Sequence, residues 1–143
     1  MDTVIRVASK KDIKRLIKHY PHIKQVMCSG DNSVTLIACD GDTVIAFLSS
    51  SIREIPAPIG GLSECFINVI EVFDIKSRCQ GIGSALVRAI IRISTERKAA
   101  QVRAYCEIHN VASHMLWIKN GFGISPVKAG DGTICGSYVT YRL

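Results

Sequence analysis

The chain has 143 residues, a formal net charge of +6 and 48% apolar residues. That length fits one domain with a core of its own, so folding requires neither disulfides nor a structural metal. No apolar run approaches the ~20 residues of a membrane span and MDTVIRVASKK holds no signal-peptide stretch, so a soluble cytoplasmic protein with no membrane partner is expected.

In chain order, Thr3–Ala8 alternates weakly and reads as a strand. Ser9 stands three positions before Asp12, a capping-box spacing that opens a helix striped by Ile13, Leu16 and Ile17. Pro21 stops that helix, and His22–Cys28 reads as a second short helix before a turn at Gly30. Ser33–Cys39 and Thr43–Ser50 are β-rich runs joined across Asp40-Gly41, a hairpin signal. Pro56, Pro58, Gly60 and Gly61 mark a loop, and Cys65–Phe73 is a third β-rich run, followed by the loop Asp74–Gln80. Ser84–Lys98 has the apolar face of a helix, Ala100–Cys106 is a strand, and Val111–Lys119 is a helix ending at Gly121. Ile124–Lys128 and Ile134–Arg142 form a last hairpin around Gly130-Asp131-Gly132. The order implies one α/β domain over 1–143: a central mixed sheet with helices on both faces, its middle strand-helix-strand unit parallel and right-handed.

The cysteines (Cys28, Cys39, Cys65, Cys79, Cys106, Cys135) are widely spread, without a C-x-x-C pair or a Cys/His cluster of zinc spacing. They read as reduced thiols serving as small hydrophobes, and no metal is expected. Lys10, Lys14 and Lys18, with Lys11 and Arg15 beside them, describe the wet face of one helix. A basic balance favours a polyanionic partner, whether nucleic acid, an acidic surface or a phosphorylated cofactor. No recognition-helix or aromatic RNA-binding motif accompanies it, and the basic residues scatter over several elements, so nucleic acid is not the expected partner.

The segment that carries chemistry runs from Phe73 to Leu86. A strand ends, a polar loop crosses, and Gly81 and Gly83 stand where the next helix begins. A helix N-terminus offers unpaired N–H groups and partial positive charge to a phosphate, and glycines let the backbone approach it. Arg78 adds a full charge. A P-loop would need a lysine after Gly83; a dinucleotide fingerprint would need glycine where Leu86 stands. A plain turn before a helix is the remaining local alternative.

Arg78-x-x-Gly81-x-Gly83 after a strand resembles the pyrophosphate motif of the GCN5-related N-acetyltransferases, the GNAT superfamily. Asn110, Leu116, Trp117, Gly121 and Phe122 match that family's N-x-x-A-x-x-L-Y-x-x-x-G-F stretch in spacing, and Ile5–Ala8 with Asp12 is similar to its first strand and helix start. The resemblance implies acetyl transfer from acetyl-CoA to a primary amine of a small molecule, peptide or protein. It implies that the N–H groups of Cys79, Gln80, Gly81, Ile82, Gly83 and Ser84 hold the coenzyme A pyrophosphate. The exposed backbone of Glu71, Val72 and Phe73 would pair with the pantetheine arm, with an oxyanion donor at Val72 or Phe73, and Asn110 would contact the arm's far end. Many such relatives are homodimers.

Trp117 stands where family members with a general acid carry tyrosine, and an indole supplies no proton at neutral pH. Either it packs against the cofactor while solvent protonates the leaving thiolate, or another group acts. For the base, Glu71 on the splayed strand, acting through water, is the first candidate and Glu107 the second; Glu64 is weaker, and His109 and His114 flank the second signature. The acceptor pocket is expected from 20–32, 53–63 and 129–133. A coenzyme A-binding sensor without turnover is the alternative that the missing tyrosine favours. Cys79, beside Arg78 at a helix N-terminus, is also a candidate redox-sensitive thiol.

Overall fold

In the computed structural model, which describes residues 2–143, strand β1 (Thr3–Val7) leads into Ser9, the N-cap of helix α1 (Lys10–His19). The capping box forms in both directions: Ser9 Oγ accepts from Asp12 N at 3.1 Å, and Asp12 Oδ2 accepts from Ser9 N at 2.7 Å. Arg6 adds a fork of bonds to the same carboxylate and holds it well below the usual range.

Pro21 ends α1 as expected, and the short helix expected over His22–Cys28 forms as a separate 3-10 helix shifted to Pro21–Gln25. It is separate because proline restarts the chain without an N–H to extend the first helix. The segment is pinned to the sheet: Ile23 is fully buried, Cys28 N donates to Ser49 Oγ at 2.9 Å, and Asn68 Nδ2 donates to Val26 O at 3.2 Å.

Strands β2 (Ser33–Asp40) and β3 (Thr43–Glu54) form the hairpin across Asp40-Gly41, and β3 runs antiparallel to β4 (Ser63–Val72). β3 extends four residues past the expected Ser50 because its ladder to β4 continues to the pair Glu54–Ser63. Helix α2 (Ile82–Glu96) carries the chain to β5 (Gln101–Glu107), parallel to β4, as the strand-helix-strand reading requires. Helix α3 (Val111–Lys119) and the hairpin β6 (Gly123–Lys128) and β7 (Ile134–Arg142) complete one seven-stranded sheet of order β1-β2-β3-β4-β5-β7-β6.

Strand alternation splits the interior in two. Leu36, Leu48, Ile67, Val102 and Val139 point to one face, where Leu86 and Ile90 of α2 and Trp117 of α3 meet them. Ile37, Phe47, Val69 and Phe73 point to the other, under Leu16, Ile23 and Tyr20. Each fully buried aliphatic or aromatic side chain contributes on the order of 1.5–3 kcal/mol. Helices therefore lie on both faces, and the six cysteines are free thiols.

Candidate active site

β4 and β5 are hydrogen-bonded only through Glu64–Ile67 against Gln101–Ala104; beyond those pairs the strands part. A bulge in β4 coincides with the parting: Ile67 faces Ser50 and Val69 faces Ser49, which leaves Asn68 unpaired. On one wall of the opening, Phe73 N donates to Ile45 O at 2.8 Å, so its amide is spent on β3 and does not serve as the oxyanion donor. In an antiparallel ladder alternate residues turn their backbone groups to opposite sides. Val72 and Ile70 consequently present N–H and C=O to the opening, where Arg78 Nε reaches Val72 O at 3.4 Å. Ile70 was not anticipated; only the ladder reveals which amides are free.

The opening leads to the loop before α2. Gly81 is the helix's N-cap at φ +79°, and Cys79 adopts φ +62°, a left-handed conformation that side chains other than glycine disfavour. The first helical bond at this end is Ala85 N to Gly81 O, and the N–H groups from Cys79 to Ser84 have no partner among the described residues. A Cβ on Gly81 would meet nothing, so conformation rather than space requires glycine there; on Gly83 it would touch Leu116 at 3.4 Å. Arg78 and Gln80 are exposed beside this nest, and Gln80 Nε2 donates to Lys76 O at 2.6 Å. Ile82 is buried in the core, and the Ser84 hydroxyl accepts from Asn120 Nδ2 at 3.0 Å, tying α2 to α3. An unpaired strand edge running into a nest of unpaired amides is a shape for an extended chain ending in phosphates.

Residues 5–122 match the profile of the Acetyltransferase (GNAT) family. The chain belongs to this family. Among curated proteins no sequence matches this GNAT domain. Solved structures do. Arabidopsis thaliana NAA60 in complex with acetyl-CoA superposes with a TM-score of 0.79 at 15% identity, covering 99% of each chain. The ribosomal-protein-S18-alanine N-acetyltransferase of Escherichia coli gives 0.72 at 16%, covering 99% of this chain and 94% of that one. The NatC complex bound to Gag peptide and CoA gives 0.74 at 16%, over 100% and 99%. At such identities the likeness is one of fold.

Within this GNAT domain the candidate acid–base residues fall in different places. Glu71 and Glu107 lie on the sheet face opposite α2, one on each wall of the opening. Glu71 is partly exposed, and His22 Nε2 stands 3.1 Å from both its carboxylate oxygens. Glu107 is exposed. Tyr105 shares its face and was overlooked, although strand alternation from Glu107 points to it; its hydroxyl donates to Cys135 O at 3.2 Å and to Cys135 Sγ at 3.6 Å, and the thiol contact pushes its pKa up to about 12. Gly136 lies beneath this ring: a Cβ there would overlap the Tyr105 hydroxyl and the Cys106 carbonyl.

Glu64 does not approach the opening. Its carboxylate is buried below the point of parting; burial pushes it up, but bonds from Arg103, Gln101 and Arg53 outweigh that and hold it at about 2. Trp117 is 2% exposed and tilted against Phe122, and its indole N–H donates to Ser113 Oγ at 3.0 Å. Its only donor is spent, so it serves packing. Asn110 caps α3, its Oδ1 accepting from Ser113 N at 3.0 Å, which leaves its Nδ2 for a ligand. His114 Nδ1 lies 3.0 Å from Asn110 O and 3.1 Å from Cys106 Sγ, on the α3 side of the sheet and away from Glu71 and Glu107; His109 is exposed.

Proposed function

We propose that the chain is an N-acetyltransferase that moves the acetyl group of acetyl-CoA to a primary amine by direct attack in a ternary complex. The observation that carries this is the continuity between the free backbone of Ile70 and Val72 and the unpaired amides of Cys79–Ser84. The residues present fit the ligand: the left-handed backbone at Cys79 and Gly81 turns successive N–H groups to one side, and no Cβ obstructs Gly81.

When bound, acetyl-CoA supplies an activated thioester whose carbonyl carbon takes the amine nitrogen as the C–S bond breaks. The N–H groups of Cys79–Ser84, aided by Arg78, hold the pyrophosphate at the positive end of α2. Val72 pairs with the pantetheine arm in the manner of an added strand, and Asn110 Nδ2 meets it from α3. The Ile70 or Val72 N–H, the amides left free by the ladder, donates to the carbonyl oxygen as negative charge develops there.

An amine is mostly protonated near pH 7 and must lose a proton before it attacks. Glu71, steadied by His22, accepts that proton through a water; Glu107 faces it from the other wall. With the Trp117 indole committed to Ser113, protonation of the leaving thiolate falls to solvent. The peptide-bound NatC and the alanine N-acetyltransferase favour peptide amines as acceptors.

The test mixes the protein with acetyl-CoA and a panel of peptide and small-molecule amines and follows thiol release. Release above hydrolysis, lowered by Glu71→Gln, is expected. The buried Trp117 favours a second reading, a coenzyme A-binding sensor, and tight cofactor binding with no release across the panel would select it. Failure to bind acetyl-CoA would overturn both.

A further inference from the structure

On the face opposite α2, α1 and the Pro21–Gln25 turn cover β2, β3 and the C-terminal half of β4. The N-terminal half of β4, with β5 and β7, stays open, and Tyr105 and Tyr138 are exposed there. Glu64 lies at the floor of this open area. It accepts from Arg53 Nε at 3.0 Å, Gln101 Nε2 at 2.9 Å, Arg103 Nε at 2.9 Å and Arg103 Nη2 at 2.8 Å.

One carboxylate between two guanidiniums leaves one positive charge unbalanced. Arg53 is 45% exposed at its side chain, and its terminal nitrogens make no hydrogen bond among the described residues; nor does Arg103 Nη1. Both guanidiniums are held by rings: Arg53 Cζ sits 4.2 Å from the Phe66 centroid, and Arg103 Cζ 4.7 Å from Tyr138 and 5.2 Å from Phe66. Unspent, fixed guanidinium donors bind a planar carboxylate with little ordering cost. A doubly charged phosphate would bring its second charge against Glu64, so the single surplus charge suits a carboxylate.

We propose that Arg53 and Arg103 form a carboxylate subsite that selects acceptors carrying a carboxylate on the same molecule as the attacking amine. The proposal rests on the reading of the β4–β5 opening as the site of acetyl transfer. Phe66, under the guanidiniums, precedes Ile70 by four residues, but the bulge at Asn68 absorbs one: their β3 partners Ser51 and Leu48 are three residues apart, about 10 Å at about 3.3 Å per residue. An extended peptide with its N-terminal amine at Ile70 sets a carboxylate on its third or fourth residue beside Arg53. The acceptor class is therefore a short or N-terminal peptide segment with an acidic side chain, or its own C-terminus, at that spacing.

Two ligand pairs separate those sources: a tripeptide amide ending in aspartate against one ending in asparagine, and alanine tripeptide as free acid against its amide. Affinity is measured by titration calorimetry with and without coenzyme A, and kcat/KM with acetyl-CoA. The acid member of at least one pair is expected to lead by tenfold to a hundredfold, the range of a charge-assisted bidentate contact. Arg53→Gln, which leaves Arg103 and Gln101 on Glu64, should bring that ratio close to one with acetyl-CoA affinity unchanged, and Arg53→Glu should invert it. A ratio near one for both pairs in the unmodified protein, a ratio that survives Arg53→Gln, or no binding of any peptide would overturn the subsite. Those results leave cofactor binding standing. Loss of acetyl-CoA binding would instead overturn the transfer reading, while the calorimetric ratio still judges the subsite.

Discussion

Cys79 holds a left-handed backbone with a side chain that disfavours it, φ +62°. Cys79→Gly removes the Cβ conflict and should bind acetyl-CoA at least as tightly as the unmodified protein. Cys79→Val, branched at Cβ, should cost about 1–2 kcal/mol of stability and weaken binding at least tenfold; thermal melting and calorimetry check both. Gly136 poses the opposite problem, of space rather than φ. Gly136→Ala drives a methyl into Tyr105 and the Cys106 carbonyl, and should cost about 1–3 kcal/mol while lowering turnover by displacing the Tyr105 ring from its wall. The sequence announces Gly81 through its spacing from Arg78 and Gly83, because phosphate nests are built from consecutive residues. It is silent on Gly136, whose need arises from a ring on a neighbouring strand. Trp117 lies between these cases: its place in the signature is legible, but Ser113 as the partner of its indole emerges only with the helix built.

At the level of elements, Gly83 sits in the first turn of α2 and separates folding from binding. Gly83→Ala should raise helix stability by about 0.5–1 kcal/mol, since alanine is the better helix former and Leu116 lies at ordinary contact distance. The same methyl crowds the nest, so acetyl-CoA affinity should fall; a higher melting temperature with a weaker Kd is the expected pair of results. Element order and type were largely readable, because α1, α2, the hairpins and the parallel unit are marked by caps, periodicity and turn residues. What escaped was whatever depends on pairing. The bulge at Asn68 leaves no trace in composition, yet it sets which amides of β4 face β5.

Across the molecule, the sheet separates the two parts of the proposed site: the amide nest of Cys79–Ser84 and α3 to one side, Glu71, Glu107 and Tyr105 to the other. Glu64 ties the strands together beneath them and gives the fold a dependence on acid. Its carboxyl is held at about 2 in the folded chain, against 4.5 ordinarily. Its contribution to stability is therefore complete above about 4.5 and is lost as the pH falls toward 2. Denaturant midpoints should decline through that window, and Glu64→Gln should lower the midpoint at pH 6 while flattening the decline. Charge and composition placed this carboxylate no better than any other, since its two arginines come from β3 and β5.

The four-pair bridge between β4 and β5 has a mechanical meaning as well. Two antiparallel blocks, β1-β2-β3-β4 and β5-β7-β6, are buttoned together at one end, and the seam above is closed by whatever occupies it. A ligand lying along Val72 and Ile70 supplies the missing rungs, so their amides should exchange with deuterium freely in the unliganded protein and slowly once it is bound. Because only the folded seam binds, ligand at a hundred times its Kd adds about 2.7 kcal/mol to the whole fold. On the proposed reading the donor of the acetyl group is also a stitch in the sheet, and departure of the spent coenzyme would reopen the seam.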